Sequence, residues 1–429
     1  MNSRLAIVEG IRTPFCKAGG KLKQAQADDL GAFAVKELMA RTGFPPESID
    51  EVIFGNVGQP INAANIARVI ALKAGLPVSL PAFTVHRNCA SGMQSFTSAA
   101  QMIAAGDAEV VLVGGTESMS NIPLLYGPEM TALFQQLAKA KTFGQRMKAL
   151  TSFRLRHLKP VIALEQGLTD PVCGLIMGLT AERLSREFLI TREQQDEYAL
   201  ESHRRATAAI ESGRLAEEIV PVPIPTRYDE IQQADEGPRP KQTMEDLQKL
   251  RPYFDRKTGT VTVGNASQVT DGAVAALVMS EEKAKAMGLQ ALGYLHSYAY
   301  AALPGDRMGL GPVFACAKLF RQTGFGLGHF DLIELNEAFA AQVIACERAF
   351  ASHECAQKHL GRDQALGPID RDKMNVNGGA IALGHPVGAT GARLIVTLLM
   401  ELRRRGLQRG LATLCVGGGQ GAAMVLEVS

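Results

Sequence analysis

The sequence predicts an α/β protein built from two similar halves, with a different region inserted between them. In the first 120 residues, short apolar runs alternate with amphipathic helical stretches, which is the pattern of an α/β fold. Parts of this pattern recur in the same order after residue 320, which indicates a duplicated unit. Residues 120–267 follow neither pattern and include a long basic segment.

The predicted elements of the first half begin with a strand at residues 5–8. A helix follows at residues 28–41, where apolar residues recur at helical spacing. A turn then leads into a strand that ends near residue 56. The apolar run at residues 110–113 is closed by two glycines and predicts a buried parallel strand.

Two sequence echoes support the duplication. The first pairs residues 42–56 with residues 323–336: each begins with Thr-Gly-Phe and continues into an apolar run ending in asparagine, with spacings that differ by one residue. The second pairs residues 111–115 with residues 413–418, two apolar runs that end in a glycine pair. Two echoes in the same order indicate a repeated α/β unit related by a pseudo-twofold axis.

A reactive residue opens one predicted helix in each half, Cys89 in the first and His385 in the second. A pseudo-twofold arrangement would bring these two residues together. A thiol at a helix N-terminus lies among unpaired backbone N–H groups, which favour the thiolate. A lone cysteine is more often a small buried core residue. A nucleophile also needs a base, an orienting amide, a proton donor and backbone donors, and the second half supplies candidates for these roles: His385, Asn336, Cys415 and Gly417.

Composition limits the classes of protein to which the chain can belong. A chain of 429 residues suggests two or three domains, and 46% hydrophobic with 21% charged residues is typical of a soluble globular protein. The formal charge of +2 argues against nucleic-acid binding. No apolar stretch approaches the ~20 residues of a membrane span. Seven scattered cysteines favour a reducing, cytoplasmic location, and their spacing predicts neither a disulfide framework nor a metal site.

The inserted region contains seven lysine and arginine residues between positions 130 and 164 and no acidic residue. Three interpretations stay open: a solvated face, a site for a phosphate-rich ligand, or a contact with an anionic membrane surface. Leucines at 150, 155 and 158, together with Phe153, could supply the apolar side of a membrane contact.

Taken together, five motifs in order resemble the thiolase family. They are residues 88–92 (Asn-Cys-Ala-Ser-Gly), 264–267 with 271–273, 336–339 (Asn-Glu-Ala-Phe), 378–391 (containing Gly-His-Pro) and 415–421 (Cys-Val-Gly-Gly-Gly-Gln-Gly). The resemblance implies a five-layered α-β-α-β-α fold of two duplicated halves with an inserted loop domain, assembled into homodimers or homotetramers. It divides the chain into an N-terminal half (1–119 and 268–290), a loop domain for CoA binding and oligomerisation (120–267) and a C-terminal half (291–429).

The chemistry implied by the resemblance is thiolytic cleavage of a 3-ketoacyl-CoA in fatty-acid β-oxidation. Cys89 would attack the 3-keto carbon while His385 withdraws its proton, and Cys415 would protonate the acetyl-CoA enolate. One oxyanion site would consist of His385 with a water held by Asn336, and the other of the backbone N–H groups of Cys89 and Gly417. The reaction needs no cofactor, because CoA is a substrate.

The resemblance also assigns ligand contacts. It places Ser267 against the pantetheine, Arg239 near the nucleotide end of CoA, and Met177 and Phe339 in the acyl or thioester pocket. Ile176 stands where short-chain biosynthetic thiolases commonly have histidine, which argues against a dedicated acetoacetyl-CoA enzyme.

The sequence also leaves other functions and a partner subunit open. Three features resemble the β-subunit of the fatty-acid trifunctional enzyme: the long basic segment, the stretch at residues 247–254 and the extension near residues 350–372. This resemblance implies a hydratase/dehydrogenase α-subunit as partner, although that type has histidine where Asn336 stands. Alternatives are an acetoacetyl-CoA thiolase that condenses two acetyl-CoA, a 3-ketoacyl synthase, and a non-catalytic acyl-CoA-binding scaffold. A synthase would use two histidines, and a scaffold would be expected to lack Cys89, His385 or Cys415.

Overall fold

A ten-stranded mixed sheet forms the centre of the computed structural model, which describes residues 4–428. The strands are β1 Leu5–Arg12, β2 Cys16–Lys17, β3 Glu51–Gly55, β4 Ala82–Val85, β5 Val110–Ser118, β6 Leu124–Tyr126, β7 Pro160–Ile162, β8 Val222–Pro223, β9 Ile231–Gln232, β10 Thr270–Ser280, β11 Gly293–Ala302, β12 Leu332–Leu335, β13 Arg409–Val416 and β14 Gln420–Glu427. The helices are α1 Ala27–Thr42, α2 Ile66–Lys73, α3 Ser91–Ala105, α4 Pro128–Lys139, α5 Phe143–Thr151, α6 Ala163–Gly167, α7 Met177–Glu187, α8 Arg192–Glu211, α9 Met244–Gln248, α10 Glu281–Ala286, α11 Gly311–Thr323, α12 Ala340–Ala351, α13 His353–Cys355, α14 Ala380–Leu383 and α15 Val387–Arg405.

The sheet consists of two parts joined through the first strand. The order is β12-β13-β14-β11-β1-β10-β5-β3-β4, with β2 paired to β10. β1 pairs with β10 over most of its length but with β11 only through Leu5, Ala6 and Ile7. β10 follows the inserted region in sequence and completes the N-terminal part of the sheet. The bounds given above for the N-terminal half, the loop domain and the C-terminal half remain predictions from the sequence.

Helices cover both outer faces of the sheet and also lie between its two parts. α1 and α2 pack against the outer face of the N-terminal part, and α11 and α12 against that of the C-terminal part. α3 and α15 lie between the two parts. Along β5, alternate residues face opposite cores: Val110 and Leu112 pack towards α1, and Val111 and Val113 towards the middle helices. The α-β-α-β-α order is therefore confirmed.

Glycines bring α3 and α15 into backbone contact. A Cβ on Gly92 would lie 2.6 Å from the backbone nitrogen of Ala392, and one on Gly391 would lie 2.7 Å from that of Met93. Each helix begins two residues after a candidate catalytic residue, Cys89 or His385. The close crossing therefore places both residues at the same end of the middle layer.

The inserted region carries an outer lobe, residues 124–162, made of β6, α4, α5 and β7. Its small core consists of Met130, Leu133 and Ala149. Many of its apolar side chains are instead exposed: Leu124, Tyr126, Phe143, Met147, Leu150, Leu155 and Leu158. Within residues 4–428, no helix is both long enough and apolar enough to span a bilayer.

Candidate active site

A cavity of about 610 Å³ lies where α3 and α15 begin. It collects side chains from both halves and from the inserted region. The sequence-predicted residues along its wall are Cys89, Met177, Ser267, Phe339, His385, Cys415 and Gly417. Asn336 and Arg239 do not lie on this wall.

The turn before α3 fixes the position of Cys89. Asn88 adopts a left-handed conformation with φ of 44°. The hydroxyl of Ser91 donates to the carbonyl oxygen of Asn88 (2.7 Å) and accepts from the backbone N–H of Arg87 (2.9 Å). These bonds close the turn locally, so that the short motif holds the thiol at the cavity wall.

The predicted preference for thiolate at Cys89 is wrong in its net direction. Burial raises the pKa of the Cys89 thiol, and the nearby carboxylate of Glu117 adds to this effect. The backbone N–H groups of Gly417 and of Cys89 itself lower the pKa but do not outweigh burial. The resting nucleophile is a thiol, and it therefore needs a base at the moment of attack.

The hydrogen bonds of His385 fix which ring nitrogen can act as that base. The hydroxyl of Thr390 donates to the carbonyl oxygen of Pro386 (3.0 Å), so it accepts from Nδ1–H of His385 (2.6 Å). Nε2 is then the nitrogen that carries the lone pair. Burial and the positive charge of Arg393 lower the pKa of His385 to about 4, so the ring is neutral at physiological pH.

Cys415 lies at the end of β13, next to a hairpin turn of three glycines. Gly418 and Gly419 have φ of 83° and 74°, a region that side chains rarely adopt. The side-chain amide of Asn88 donates to the carbonyl oxygen of Gly417 (2.7 Å) and so joins this turn to the nucleophile loop. Burial, and then the neighbouring Cys89, raise the pKa of Cys415 well above its usual value, so Cys415 is a protonated thiol.

Asn336 follows the end of β12 and is fully buried. Its backbone N–H donates to the carbonyl oxygen of Thr413 (3.0 Å), two residues before Cys415. Within the described part of the chain, neither polar atom of its side-chain amide has a hydrogen-bond partner. A buried amide of this kind is available to a ligand or water, because leaving it unpaired costs about 1–3 kcal/mol.

Glu337 has a structural position rather than a place on the cavity wall. Its carboxylate accepts hydrogen bonds from Tyr198 (3.1 Å), Ser202 (2.6 Å), Asn375 (3.0 Å) and the backbone of Ile381 (3.1 Å). The bond to Ile381 holds α14, which leads directly to the Gly-His-Pro segment. Glu337 thus acts on the site through the backbone.

Arg239 lies in a groove next to the cavity. Ser267 belongs to both the groove and the cavity wall, so it stands between Arg239 and the candidate catalytic residues. The backbone N–H of Ser267 donates to the carbonyl oxygen of Ala338 (2.9 Å), which ties the motif at 264–267 to the motif at 336–339.

Two parts of the cavity wall lie outside the motifs that predicted the site. One is Glu117, a buried carboxylate at the end of β5. The other is the wall formed by α6, Leu168, Ile122 and Pro123. A glutamate two residues after an apolar run and a glycine pair is a usable sequence signal for the first. No local pattern predicts the second.

Within residues 4–428, no group of three or more His, Cys, Asp or Glu side chains is placed to hold a metal ion. All seven cysteines are free thiols.

Comparison with known proteins gives a consistent result over the whole chain. The model of the thiolase N-terminal domain matches residues 5–282, and that of the thiolase C-terminal domain matches residues 289–428. The chain is 44% identical over 427 residues to a 3-ketoacyl-CoA thiolase of Pectobacterium atrosepticum, covering 99% of this chain and 97% of the relative. It is 43% identical over 425 residues to one of Pseudoalteromonas translucida, with the same coverage.

Two solved structures have the same fold as this chain over its whole length. The Bacillus anthracis acetyl-CoA acetyltransferase has a TM-score of 0.87 at 40% identity and covers 100% of both chains. The human mitochondrial 3-ketoacyl-CoA thiolase in complex with CoA has a TM-score of 0.85 at 38% identity, covering 100% of this chain and 98% of that one.

Proposed function

The chain belongs to the thiolase family, and on that premise we propose that it catalyses thiolytic cleavage of 3-ketoacyl-CoA by CoA. The products are acetyl-CoA and a shortened acyl-CoA. The observation that carries this proposal is the meeting of Cys89, His385 and Cys415 on one cavity wall, where the backbone N–H groups of Cys89 and Gly417 lower the pKa of the Cys89 thiol.

The first step forms a bond between Cys89 and the 3-keto carbon of the substrate. Nε2 of the neutral His385 takes the thiol proton as the sulfur attacks, while the hydrogen bond from Nδ1 to Thr390 keeps the ring oriented. The backbone N–H groups of Cys89 and Gly417 stabilise the oxyanion of the tetrahedral intermediate.

The second step breaks the C2–C3 bond and leaves the shortened acyl group on Cys89. The departing fragment is the enolate of acetyl-CoA, whose thioester oxygen is stabilised by His385 and by a water bound to the Asn336 amide. Cys415, held as a thiol by burial, gives its proton to C2 and becomes a thiolate.

The last steps restore the enzyme. CoA enters, the Cys415 thiolate removes its thiol proton, and the CoA thiolate attacks the acyl-Cys89 thioester. Cys89 leaves as a thiolate and recovers its proton from His385. Every proton that leaves a residue in one half-reaction returns in the other, so the cycle needs no cofactor.

CoA would reach the cavity along the groove that contains Arg239. Ser267 lies at the junction of groove and cavity, a suitable place for the pantetheine arm, and Met177 and Phe339 flank the thioester. Arg239 is placed to meet the phosphates of the nucleotide.

Cavity shape favours substrates longer than acetoacetyl-CoA. Apolar residues extend the wall away from Cys89, on α6 and in the segment before β6, where Leu164, Leu168 and Ile122 lie. These residues offer surface to an acyl chain, which would gain about 0.8 kcal/mol for each buried CH₂ group.

The direct test is CoA-dependent loss of the magnesium-enolate absorbance of 3-ketoacyl-CoAs from about four to about sixteen carbons. We expect kcat/KM to rise with chain length and activity to disappear in Cys89→Ser. Activity confined to acetoacetyl-CoA would favour the condensing enzyme. An absence of activity at every length, in folded and reduced protein, would favour a scaffold.

The assembly we propose is a homodimer or homotetramer. β4 is the edge strand at one end of the sheet and lies only a few residues before Cys89. An unpaired strand edge is a template for pairing with another chain. A hydratase/dehydrogenase α-subunit is a further partner to test by co-purification.

We further propose that the outer lobe contacts an anionic membrane surface. On α5, Phe143, Met147 and Leu150 repeat at intervals of four and three residues and are all exposed, so they form one apolar stripe. Arg146 and Lys148 flank the stripe. This combination is typical of helices that lie in a membrane interface.

A further inference from the structure

Glu117 is a buried carboxylate on the wall of the cavity, and the thiolase mechanism above gives it no role. It is 1% exposed and lies at the end of β5. Four donors converge on it. Oε1 accepts from the side chain of Asn56 (3.1 Å) and the backbone N–H of Gly58 (2.8 Å), and Oε2 accepts from the backbone N–H groups of Val57 (3.1 Å) and Gly388 (2.9 Å).

These bonds cross the boundary between the two halves. Asn56, Val57 and Gly58 form the turn after β3 in the N-terminal half. Gly388 lies in the first turn of α15, three residues after His385. A carboxylate at a helix N-terminus also interacts favourably with the helix dipole. One side chain therefore joins the end of β5, the turn after β3 and the helix that follows the base.

Glu117 also lies close enough to the nucleophile to affect it electrostatically. Its charge contributes to the raised pKa of Cys89. The other titratable groups on the cavity wall are Cys415, His385 and Asp170. No cationic side chain is placed on this wall among the described residues, and the four donors to Glu117 are neutral amides.

We propose that Glu117 is a positioning residue, whose ionised carboxylate holds the first turn of α15, and with it His385, in register with Cys89. The donor set requires the ionised form, because all four partners are N–H groups and a protonated carboxyl would direct its own hydrogen at one of them. The proposal deepens the proposed thiolase function and rests on it for its kinetic test.

The pH profile of acylation distinguishes this role from simple scaffolding. Burial raises the pKa of Glu117 to about 7, whereas that of His385 is lowered to about 4. Glu117 is ionised above its pKa, so the rate of acylation should fall as the pH drops through about 7. If only His385 mattered, the rate would fall near pH 4.

The experiment measures single-turnover release of acetyl-CoA from a 3-ketoacyl-CoA between about pH 5 and pH 8.5, which needs no free CoA. In Glu117→Gln we expect the rate at pH 8 to fall about 100-fold through misplacement of the base, and the acid limb near pH 7 to disappear. The matched control is Glu109→Gln, just before the same strand; its side chain is 69% exposed, so its profile should equal that of the wild type.

A measurement on the wild type alone covers the case in which Glu117→Gln does not fold. Amide exchange at Gly388, corrected for its intrinsic pH dependence, should accelerate as the pH falls below about 7, because protonated Glu117 releases its N–H. A wild-type rate that does not fall between about pH 8 and pH 5, a variant that keeps the limb near pH 7, or pH-independent protection of Gly388 would each overturn the proposal. Absence of acetyl-CoA release by the wild type, with the exchange shift present, would instead reject the thiolase function.

Discussion

Thr390 is the residue that decides how His385 can act. Its hydroxyl donates to Pro386 and therefore accepts from Nδ1, which leaves Nε2 unprotonated towards the reactants. Because the pKa of His385 is lowered to about 4, this state persists across the physiological range and is lost only in strong acid. A single hydroxyl thus sets both the tautomer and the orientation of the base.

Replacing Thr390 with valine removes that acceptor and keeps the shape of the side chain. We expect acylation to slow about 10- to 100-fold, because Nδ1–H loses its partner and the ring is free to adopt the wrong tautomer. Thr390→Ser keeps the hydroxyl and should retain most of the activity. The measurement is the single-turnover rate at pH 8, and equal rates in the valine and serine variants would contradict the role of the hydroxyl.

Cys415 can be separated from Cys89 by the step that each serves. Cys415→Ala should still form the acyl-enzyme slowly but lose exchange of the C2 protons of acetyl-CoA with deuterated water, by about 100-fold or more. Cys355→Ala, a buried thiol away from the cavity, is the control and should exchange normally. Unchanged exchange in Cys415→Ala would remove this residue from proton transfer.

Sequence motifs located the reactive residues, but they did not determine how these residues are charged. Cys89, His385 and Cys415 occur in short motifs whose order is informative. The pKa of Cys89 depends on burial and on Glu117 and Gly417, which are distant in sequence, so its helix-terminal position alone gave the wrong direction. Glu117 itself was missed because its four donors come from two separate segments.

At the scale of the elements, the crossing of α3 and α15 determines the distance between the nucleophile and the base. The contact depends on Gly92 and Gly391, where added Cβ atoms would meet backbone atoms of the opposite helix. Backbone atoms cannot turn aside as a flexible side chain can. The crossing therefore leaves little room for adjustment.

Gly92→Ala should push the two helices apart. We expect a loss of about 1–3 kcal/mol in the free energy of unfolding and a larger relative loss in acylation, since Cys89 and His385 move with their helices. Gly326→Ala is the control, because its added Cβ would meet nothing within 4 Å. Urea unfolding and single-turnover acylation measure the two effects, and a variant with wild-type values in both would show that the crossing tolerates a methyl group.

The predicted repeat holds at the level of elements, and its first echo is in phase when it is counted from Thr-Gly-Phe. In β3, Val52 and Phe54 pack on the outer face, and Ile333 and Leu335 do so at the same spacing in β12. The asparagine of the second half comes one residue earlier, and in a strand one residue exchanges the two faces. Asn56 and Asn336 are therefore not equivalent, and only Asn56 has a partner in Glu117.

At the scale of the whole molecule, the outer lobe is the part whose surface is least explained by packing within the chain. It leaves apolar side chains exposed beside a basic segment. Arg156 is partly neutralised, because Glu129, just before the segment, lies 3.2 Å from it. The remaining cations still favour an anionic surface, at about 1 kcal/mol for each residue close to it.

Replacing Phe143 and Met147 together with serine should abolish binding to vesicles that contain anionic lipid, because the apolar stripe of α5 is lost. Phe143 is 80% exposed and Met147 43%, so the fold should not change. Val78→Ser, at a site that is 77% exposed in another part of the molecule, is the control. The measurement is co-sedimentation with anionic and neutral vesicles at low and high salt. Equal sedimentation of all variants would make the lobe a solvated face or a protein contact.

The sharing of β1 between the two parts of the sheet has a consequence for synthesis on the ribosome. The N-terminal part of the sheet is complete only when β10 inserts between β1 and β5, and β10 ends at Ser280. A nascent chain that stops before this point therefore has unpaired edges on β1 and β5, where other chains can pair. This part of the sheet can therefore be completed only after about two thirds of the chain has been translated, and its strand edges are most open to other chains before that point.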